Sequence, residues 1–230
     1  MHAGLHYGLF TVLEWPKDES SDPTADVTRI YLGTSRDGIH FDLRWIYSGE
    51  ALIKPDAQGR PRNGSGEFDF QSMRPGAQFV THKEEHWLYY ESCPHQHERR
   101  YLGGCQIRLA KFRLDGLSYL APKLREGRGG EEGEGHVTTR AFRLDGTGLE
   151  LNVSLLADGG QVLVAVLDPD TGVPIPGLTC KESVPVAAGL HSRVRWGGGG
   201  KQAFRGLLHR RIRLRIHLHR AQLYALQVLP

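Results

Sequence analysis

Cysteine is scarce in this sequence, with three residues among 230. Cys93, Cys105 and Cys180 are odd in number and fit no paired metal-ligand spacing, so they indicate neither a disulfide framework nor a zinc site. Cys93 and Cys105 flank one loop, where they form either a single bridge or two separate thiols. We therefore predict no metal and no cofactor for this chain.

Long apolar runs are also absent. No run approaches the length of a transmembrane helix, and the first ten residues, MHAGLHYGLF, lack a basic start, an apolar core and a cleavage site. We therefore expect neither a membrane partner nor a signal peptide in the chain as given, and its compartment stays open.

Asparagine occurs only at Asn63 and Asn152, and each residue opens an N-x-S sequon. Such sequons are a weak indication of a secreted parent protein. However, Asn152 lies inside a strand pattern where an outward polar residue is expected in any case. We interpret both sequons as coincidence.

Neither sign of charge dominates, since the formal net charge is +3. The charges are nevertheless spread unevenly, with acidic residues clustered at 14–26 and 126–134 and basic residues at 201–220. This distribution permits an anionic partner without requiring one.

Alternating apolar residues are the most regular pattern in the sequence, and they predict an all-β protein. Residues 151–155 and 162–166 alternate at period two, and Asp-Gly pairs stand where hairpin turns are needed. We predict an antiparallel β-sandwich over residues 136–230. Residues 123–135 are rich in glycine and charge and are interpreted as a linker.

An imperfect repeat organises residues 1–122. Residues 6–10 correspond to 86–90, and residues 31–38 correspond to 107–116, at an offset of about 80 residues, which fits a four-stranded propeller blade with long loops. In the second copy, the strands are predicted at 77–81, 87–91, 106–112 and 117–121. In the first copy, residues 29–34 are predicted to pair with a strand at 40–45. One to two blades cannot close a ring, so we expect the chain to be a fragment.

Polar residues of the second copy are predicted to meet on the face where propellers bind ligands. Glu67 and Asp69 would lie roughly 7 Å apart in an extended segment. Carboxylate pairs serve glycosidic bond cleavage as acid and as nucleophile or base. The alternative is a pair of solvated carboxylates at the entry to a strand.

Histidine and arginine side chains are predicted on the same face. His95 and His97 share one side of an extended loop, where they contact a sugar hydroxyl or form part of a polar surface loop; no third ligand at a known spacing supports a metal. Arg74 follows the carboxylates and is predicted to bind substrate.

Basic residues alternate with apolar ones near the end of the chain. One face of this predicted strand is a basic ladder, which either grips a polyanion or is simply solvated. It lacks interleaved aromatic residues for base stacking, which argues against nucleic acid. Its members are Arg211, Arg213, Arg215, His217 and His219. The four tryptophans, Trp15, Trp45, Trp87 and Trp196, lie in or beside strand patterns and are predicted to fill the core.

The chain resembles the C-terminal part of five-bladed β-propeller proteins related to glycoside hydrolases of the arabinanase and invertase type. The resemblance rests on residues 35–41 (SRDGIHF), similar to the S-x-D-G-x-x-W blade signature with phenylalanine in place of tryptophan, on Phe68-Asp69, on residues 87–90 (WLYY) and on residues 107–116. It continues into the sandwich through residues 136–140 (HVTTR), and it covers nearly the whole chain.

The resemblance implies a carbohydrate-active parent protein that hydrolyses glycosidic bonds. It places Asp69 at an inner-strand position and His97 in a loop that faces the same funnel. The competing hypothesis is a non-catalytic module that binds a carbohydrate or a protein. Oligomeric state, sugar and linkage stay open.

Overall fold

The computed structural model describes residues 4–14, 27–53, 72–95, 97, 103–122, 133–156 and 159–230. Strands dominate these residues, and the helices among them are four and six residues long. The prediction of an all-β protein is confirmed. The chain divides into two compact units, Met1–Arg113 and Leu114–Pro230.

The first unit contains one sheet. Its elements are β1 (His6–Glu14), β2 (Val27–Ser35), α1 (Arg44–Tyr47), β3 (Ser72–Pro75), β4 (Val80–His82), β5 (Glu85–Cys93) and β6 (Gln106–Arg113). The strand order is β1-β2-β3-β5-β6, and β4 continues the edge of β5 that β3 occupies. Its central core groups Ile30, Met73 and Tyr90.

The repeat seen in the sequence appears as two antiparallel strand pairs. In the first pair His6 of β1 lies opposite Ser35 of β2, and in the second Glu85 of β5 lies opposite Arg113 of β6. The two pairs belong to a single open sheet, because β2 and β3 are joined in parallel. The sequence predicted a separate blade for each copy.

The turn after β2 is fixed by one carboxylate. Asp37 accepts hydrogen bonds from the backbone N–H groups of Ile39 and His40 and from the hydroxyl of Ser35. Its second oxygen lies 2.7 Å from Nδ1 of His40. These bonds, led by that of the His40 side chain, hold the pKa of Asp37 well below its usual range.

Two strands predicted for the first half of the chain are not formed. Over residues 40–45 the chain makes one bridge, from Asp42 to Thr34, and then turns into α1, where Asp42 accepts from the backbone and guanidinium of Arg44. Over residues 117–121, which belong to the second unit, Leu120 bridges to Leu223 of that same unit instead of extending the sheet of β6. Both segments are short, so their partners are decided by tertiary packing rather than by local pattern.

The second unit contains three sheets. Its elements are β7 (Glu134–Thr138), β8 (Phe142–Arg143), β9 (Gly148–Leu155), β10 (Gln161–Leu167), β11 (Ser183–Val184), β12 (Gly189–Arg193), β13 (Arg195–Trp196), α2 (Gly200–Arg205), β14 (Arg211–His219) and β15 (Ala221–Leu229). One sheet has the order β10-β14-β7, with β8 also paired to β14; a second has the order β12-β9-β15, and β11 pairs with β13.

Alternate residues of these strands form one large core. The buried positions come from two sheets: Leu149, Leu151 and Val153 of β9, Val162, Val164 and Val166 of β10, and Ile212, Leu214, Ile216 and Leu218 of β14. Each such side chain contributes about 1.5–3 kcal/mol by leaving water. The strand predicted to carry the basic ladder forms as β14. It belongs to a different sheet from β15, and the chain crosses between the two strands at Arg220, where φ is 46°.

Asn152 belongs to the interior of this unit. It is 4% exposed, and its amide donates a 2.7 Å hydrogen bond to the carbonyl of Leu114. Asn152 therefore points into the fold and not outward as the strand pattern predicted, and its side chain stabilises the folded unit. Asn63 and the first ten residues of the predicted linker, 123–132, lie outside the described residues, so the predicted domain bounds stay predictions.

Within the residues described above, none of the helices is long and apolar enough to cross a membrane.

Candidate functional site

One end of the first sheet gathers several strand termini. Ser72, which begins β3, lies opposite Cys93, which ends β5, and it also pairs with Thr28 near the start of β2. Glu14, the last residue of β1, lies opposite Val27. The connections that lead out of β1, into β3 and out of β5 therefore leave the sheet at the same end.

Glu14 is held firmly at this end of the sheet. It forms an ion pair with Arg29 at 2.9 Å and accepts a hydrogen bond from the hydroxyl of Tyr31. Burial of the phenol, with the adjacent Glu14 carboxylate as the next cause, raises the pKa of Tyr31 to about 12. Both carboxylate oxygens of Glu14 are thus engaged within the sheet. The rest of the acidic segment, residues 15–26, lies outside the described residues.

The predicted site residues are only partly visible here. Glu67 and Asp69 lie outside the described residues. His95 is half-buried and His97 is exposed, two and four positions beyond the end of β5. Cys93 and Cys105 form a disulfide that ties the end of β5 to the residue before β6. Of the two alternatives left by the sequence, the single bridge is correct.

Arg74 lies on a face of the sheet that we name the Tyr89 face. Residues directly opposite each other in an antiparallel register share a face, and this rule defines the set from the pairs of β5 with β3, β4 and β6. Its members are Ser72, Arg74, Val80, His82, Glu85, Trp87, Tyr89, Glu91, Cys93, Ile107, Leu109, Lys111 and Arg113. On the other face of β5, His86, Leu88, Tyr90 and Ser92 are buried.

The Tyr89 face carries exposed apolar groups inside a charged margin. Tyr89 is 47% exposed and Ile107 is 75% exposed, and Val80 and Leu109 are also exposed. Gly76 donates its N–H to the carbonyl of Tyr89 at 2.7 Å, and a Cβ at Gly76 would lie 2.7 Å from that same oxygen. The glycine therefore permits a close approach and adds no side chain over the tyrosine.

Trp87 is engaged by its neighbours on this face. Its indole N–H donates to Glu85 at 2.6 Å, the ammonium of Lys111 lies 4.7 Å from the ring centroid, and the ring of His82 lies 4.7 Å away. The Trp87 hydrogen bond, with the charge of Lys111, lowers the pKa of Glu85. Trp87 and Trp45 are half-buried and Trp15 lies outside the described residues, so among the three described tryptophans the core prediction is confirmed for Trp196, which is 7% exposed.

The basic ladder lies on the outer side of β14 in the second unit. Its alternating apolar partners are buried, as the period of two predicted, but the ladder is half-buried beyond the exposed Arg211. Arg215 donates through Nε to the hydroxyl of Thr138 at 3.3 Å. Register places Ala165 of β10 beside Arg215, and Ala165 is itself buried. The ladder is therefore partly covered rather than simply solvated.

A half-open concavity of about 360 Å³ continues this ladder, and we name it the imidazole concavity. Its lining consists of Glu134, Gly135, His136, Gln161, Leu163, Cys180, His217, Leu218 and His219. The alternating pattern of β14 identified His217 and His219, but no sequence pattern pointed to His136 or Cys180. The signal for His136 is the strand register, which a single sequence does not provide.

Charges in the concavity act on one another. The ring centroids of His136 and His217 are 5.5 Å apart, and Nδ1 of His219 lies 3.7 Å from the carboxylate of Glu134. Burial, followed by the charges of His136 and Arg215, lowers the pKa of His217. Burial raises the pKa of the Cys180 thiol. Among the residues that the structure describes, no group of three or more histidine, cysteine or carboxylate side chains is placed to hold a metal ion.

No protein family, curated protein or solved structure matches this chain.

Proposed function

We propose that this chain is a carbohydrate-binding β protein, organised like the last blades and the appended β-sandwich of a propeller glycoside hydrolase. The duplicated strand pairs of the first unit support the blade interpretation. The core shared by two sheets of the second unit supports the sandwich interpretation. The observation that carries the functional proposal is the Tyr89 face.

The chemistry of this face suits a sugar. A pyranose ring presents C–H groups on its faces and hydroxyl groups at its edge, so it needs an exposed aromatic or apolar surface bordered by hydrogen-bonding groups. Tyr89 provides the aromatic surface, since the Trp87 ring is already in contact with Lys111 and His82. Arg74 and Glu91, opposite each other on β3 and β5, supply a donor and an acceptor beside it.

Binding to neutral glycans tests the proposal. We expect the protein to retain members of a glycan panel, and we expect Tyr89→Ala to weaken binding about tenfold, which is about 1.4 kcal/mol. Tyr47→Ala is the matched control, because Tyr47 is 85% exposed on α1 in the same unit and should leave affinity unchanged. Calorimetry gives both affinities. Failure of the unaltered protein to bind any glycan, or equal loss in the two variants, would contradict the proposal.

Hydrolysis is the further step that the carboxylate prediction requires. In this version of the proposal Glu67 and Asp69 act as acid and as nucleophile or base, while Arg74, His95 and His97 bind sugar hydroxyls. Product analysis on the glycans that bind distinguishes the alternatives. Cleavage that is lost in Asp69→Asn assigns a glycosidase, whereas binding without cleavage assigns a non-catalytic binding module.

A further inference from the structure

We propose that the imidazole concavity of the second unit is a binding site for an oxyanion, such as a carboxylate, sulfate or phosphate group, and that it binds more tightly as the pH falls. The site lies in the second unit and uses none of the residues of the Tyr89 face. This proposal can therefore be tested independently of the proposed function.

Strand register builds the floor of the site. His217 of β14 lies between Leu163 of β10 and His136 of β7, and the next row places His219 between Gln161 and Glu134. The period of two directs these residues to the outer side, while Ile216 and Leu218 enter the core. The imidazoles and the Gln161 amide are thus brought to one surface by three adjacent strands.

The balance of charge in the site favours an anion. The carboxylate of Glu134 is paired with His219 at 3.7 Å, which leaves His136 and His217 facing each other with ring centroids 5.5 Å apart. Arg215 adds a permanent positive charge that acts on both His217 and Cys180. The titratable and charged groups that face His217 are Glu134 and His136 from β7, Arg215 and His219 from β14, and Cys180 from the segment between β10 and β11, while β10 contributes Gln161 and Leu163.

The dependence on pH follows from the repulsion between these groups. The pKa of His217 lies below its ordinary value of 6.5, because it is partly buried and close to His136 and Arg215. An oxyanion placed between the imidazoles favours their protonated forms, so its binding takes up protons. By linkage, affinity must then rise as pH falls through the histidine range.

The size of the site is suited to a small ligand. The concavity of about 360 Å³ falls within the range of small-molecule pockets and can hold one acidic sugar unit or one hydrated inorganic anion. These two sources share the same chemistry of recognition. Their affinities, measured in parallel, tell them apart.

Calorimetry with the whole chain at constant ionic strength tests the proposal, with sodium sulfate and an oligogalacturonate as probes at pH 5.0 and pH 7.5. We expect Kd to fall about tenfold between the higher and the lower pH. We expect His217→Gln and His136→Gln to weaken binding at pH 5.0 about tenfold and to flatten the pH profile. His191→Gln is the matched control, because His191 is exposed on β12, in the other sheet of the same unit, and pairs with Glu150.

A second measurement keeps the proposal testable if a variant fails to fold. In the unaltered protein, NMR titration of the histidine ring protons should show the pKa of His217 rising when sulfate is added. Tighter binding of the oligogalacturonate assigns an acidic sugar, and equal binding of sulfate assigns an inorganic oxyanion. Absence of binding at pH 5.0, or binding unaffected by His217→Gln in a folded variant, would overturn the proposal.

Discussion

Three buried side chains, Trp196, Ser183 and Tyr31, form hydrogen bonds to the backbone or to a charged partner. The indole N–H of Trp196 donates to the carbonyl of Val164 at 2.8 Å, and the backbone N–H of Val164 donates to the hydroxyl of Ser183 at 3.0 Å. A buried polar group without such a partner would cost about 1–3 kcal/mol. Tyr31 donates to the carboxylate of Glu14, and this charged partner affects the pH at which the Tyr31 hydroxyl loses its proton.

Tyr31 should be protonated over an unusually wide pH range. Its pKa is raised from 10.0 to about 12 by burial and by Glu14, so folding favours the neutral phenol. This contribution to stability is complete below about pH 10 and is lost as pH rises through about 12. Ultraviolet absorbance should show one of the eight tyrosines titrating near pH 12, and Tyr31→Phe should remove that phase. Tyr47→Phe should not, and ordinary titration of all tyrosines would contradict the assignment.

Individual strands are predictable here where the alternation is long and one face is buried. The strands β9, β10 and β14 each satisfy that condition, and their inward residues form the core. Residues 40–45 and 117–121 were predicted wrongly because five or six residues carry too little periodicity to choose between a strand and a bridge. The sequence did not decide whether Cys93 and Cys105 form a disulfide, because spacing along the chain does not give the distance between two side chains.

The disulfide should stabilise the connection from β5 to β6. It closes a loop with a sequence separation of 12, for which restriction of the unfolded chain predicts about 3 kcal/mol. We expect Cys105→Ser to lower the free energy of unfolding by about that amount in urea titration. Cys180→Ser keeps the bridge and is the control. Identical midpoints with and without a reducing agent would show that the bridge contributes nothing.

The candidate sites were predictable only in part, because they depend on how neighbouring strands pair. The sequence identified Arg74 by its place just after the predicted carboxylates, and it identified the ladder on β14 by the alternation of basic and apolar residues. It missed Tyr89 as an exposed ring and His136 as the partner of His217, because both depend on which strand lies alongside and in which register. The carboxylates Glu67 and Asp69 stay a prediction.

At the scale of the whole molecule, the chain consists of two units with separate cores. The first unit groups Ile30, Met73 and Tyr90 at its centre, whereas the second groups a much larger set drawn from four long strands. Since apolar burial is the main favourable term in folding, the second unit should be the more stable of the two.

Unfolding in urea should therefore show two transitions, the first unit unfolding at the lower concentration. Met73→Ala should lower the first midpoint and Leu214→Ala the second, because each removes a side chain that is completely buried in its own core. The expected cost is about 2–5 kcal/mol for each change. Far-ultraviolet circular dichroism follows both transitions. One transition that both variants shift equally would show that the units unfold together.

The position of β14 in the chain has a consequence for synthesis in the cell. This strand lies between β10 and β7 and also pairs with β8, and β9 likewise pairs with β15, so strands made early depend on strands made late. A nascent chain that ends before Arg211 has no central strand for the largest sheet of the second unit. The second unit can therefore fold only after β14 and β15 have left the ribosome, and until then the edges of β7 and β10 are open to chaperones and to neighbouring nascent chains.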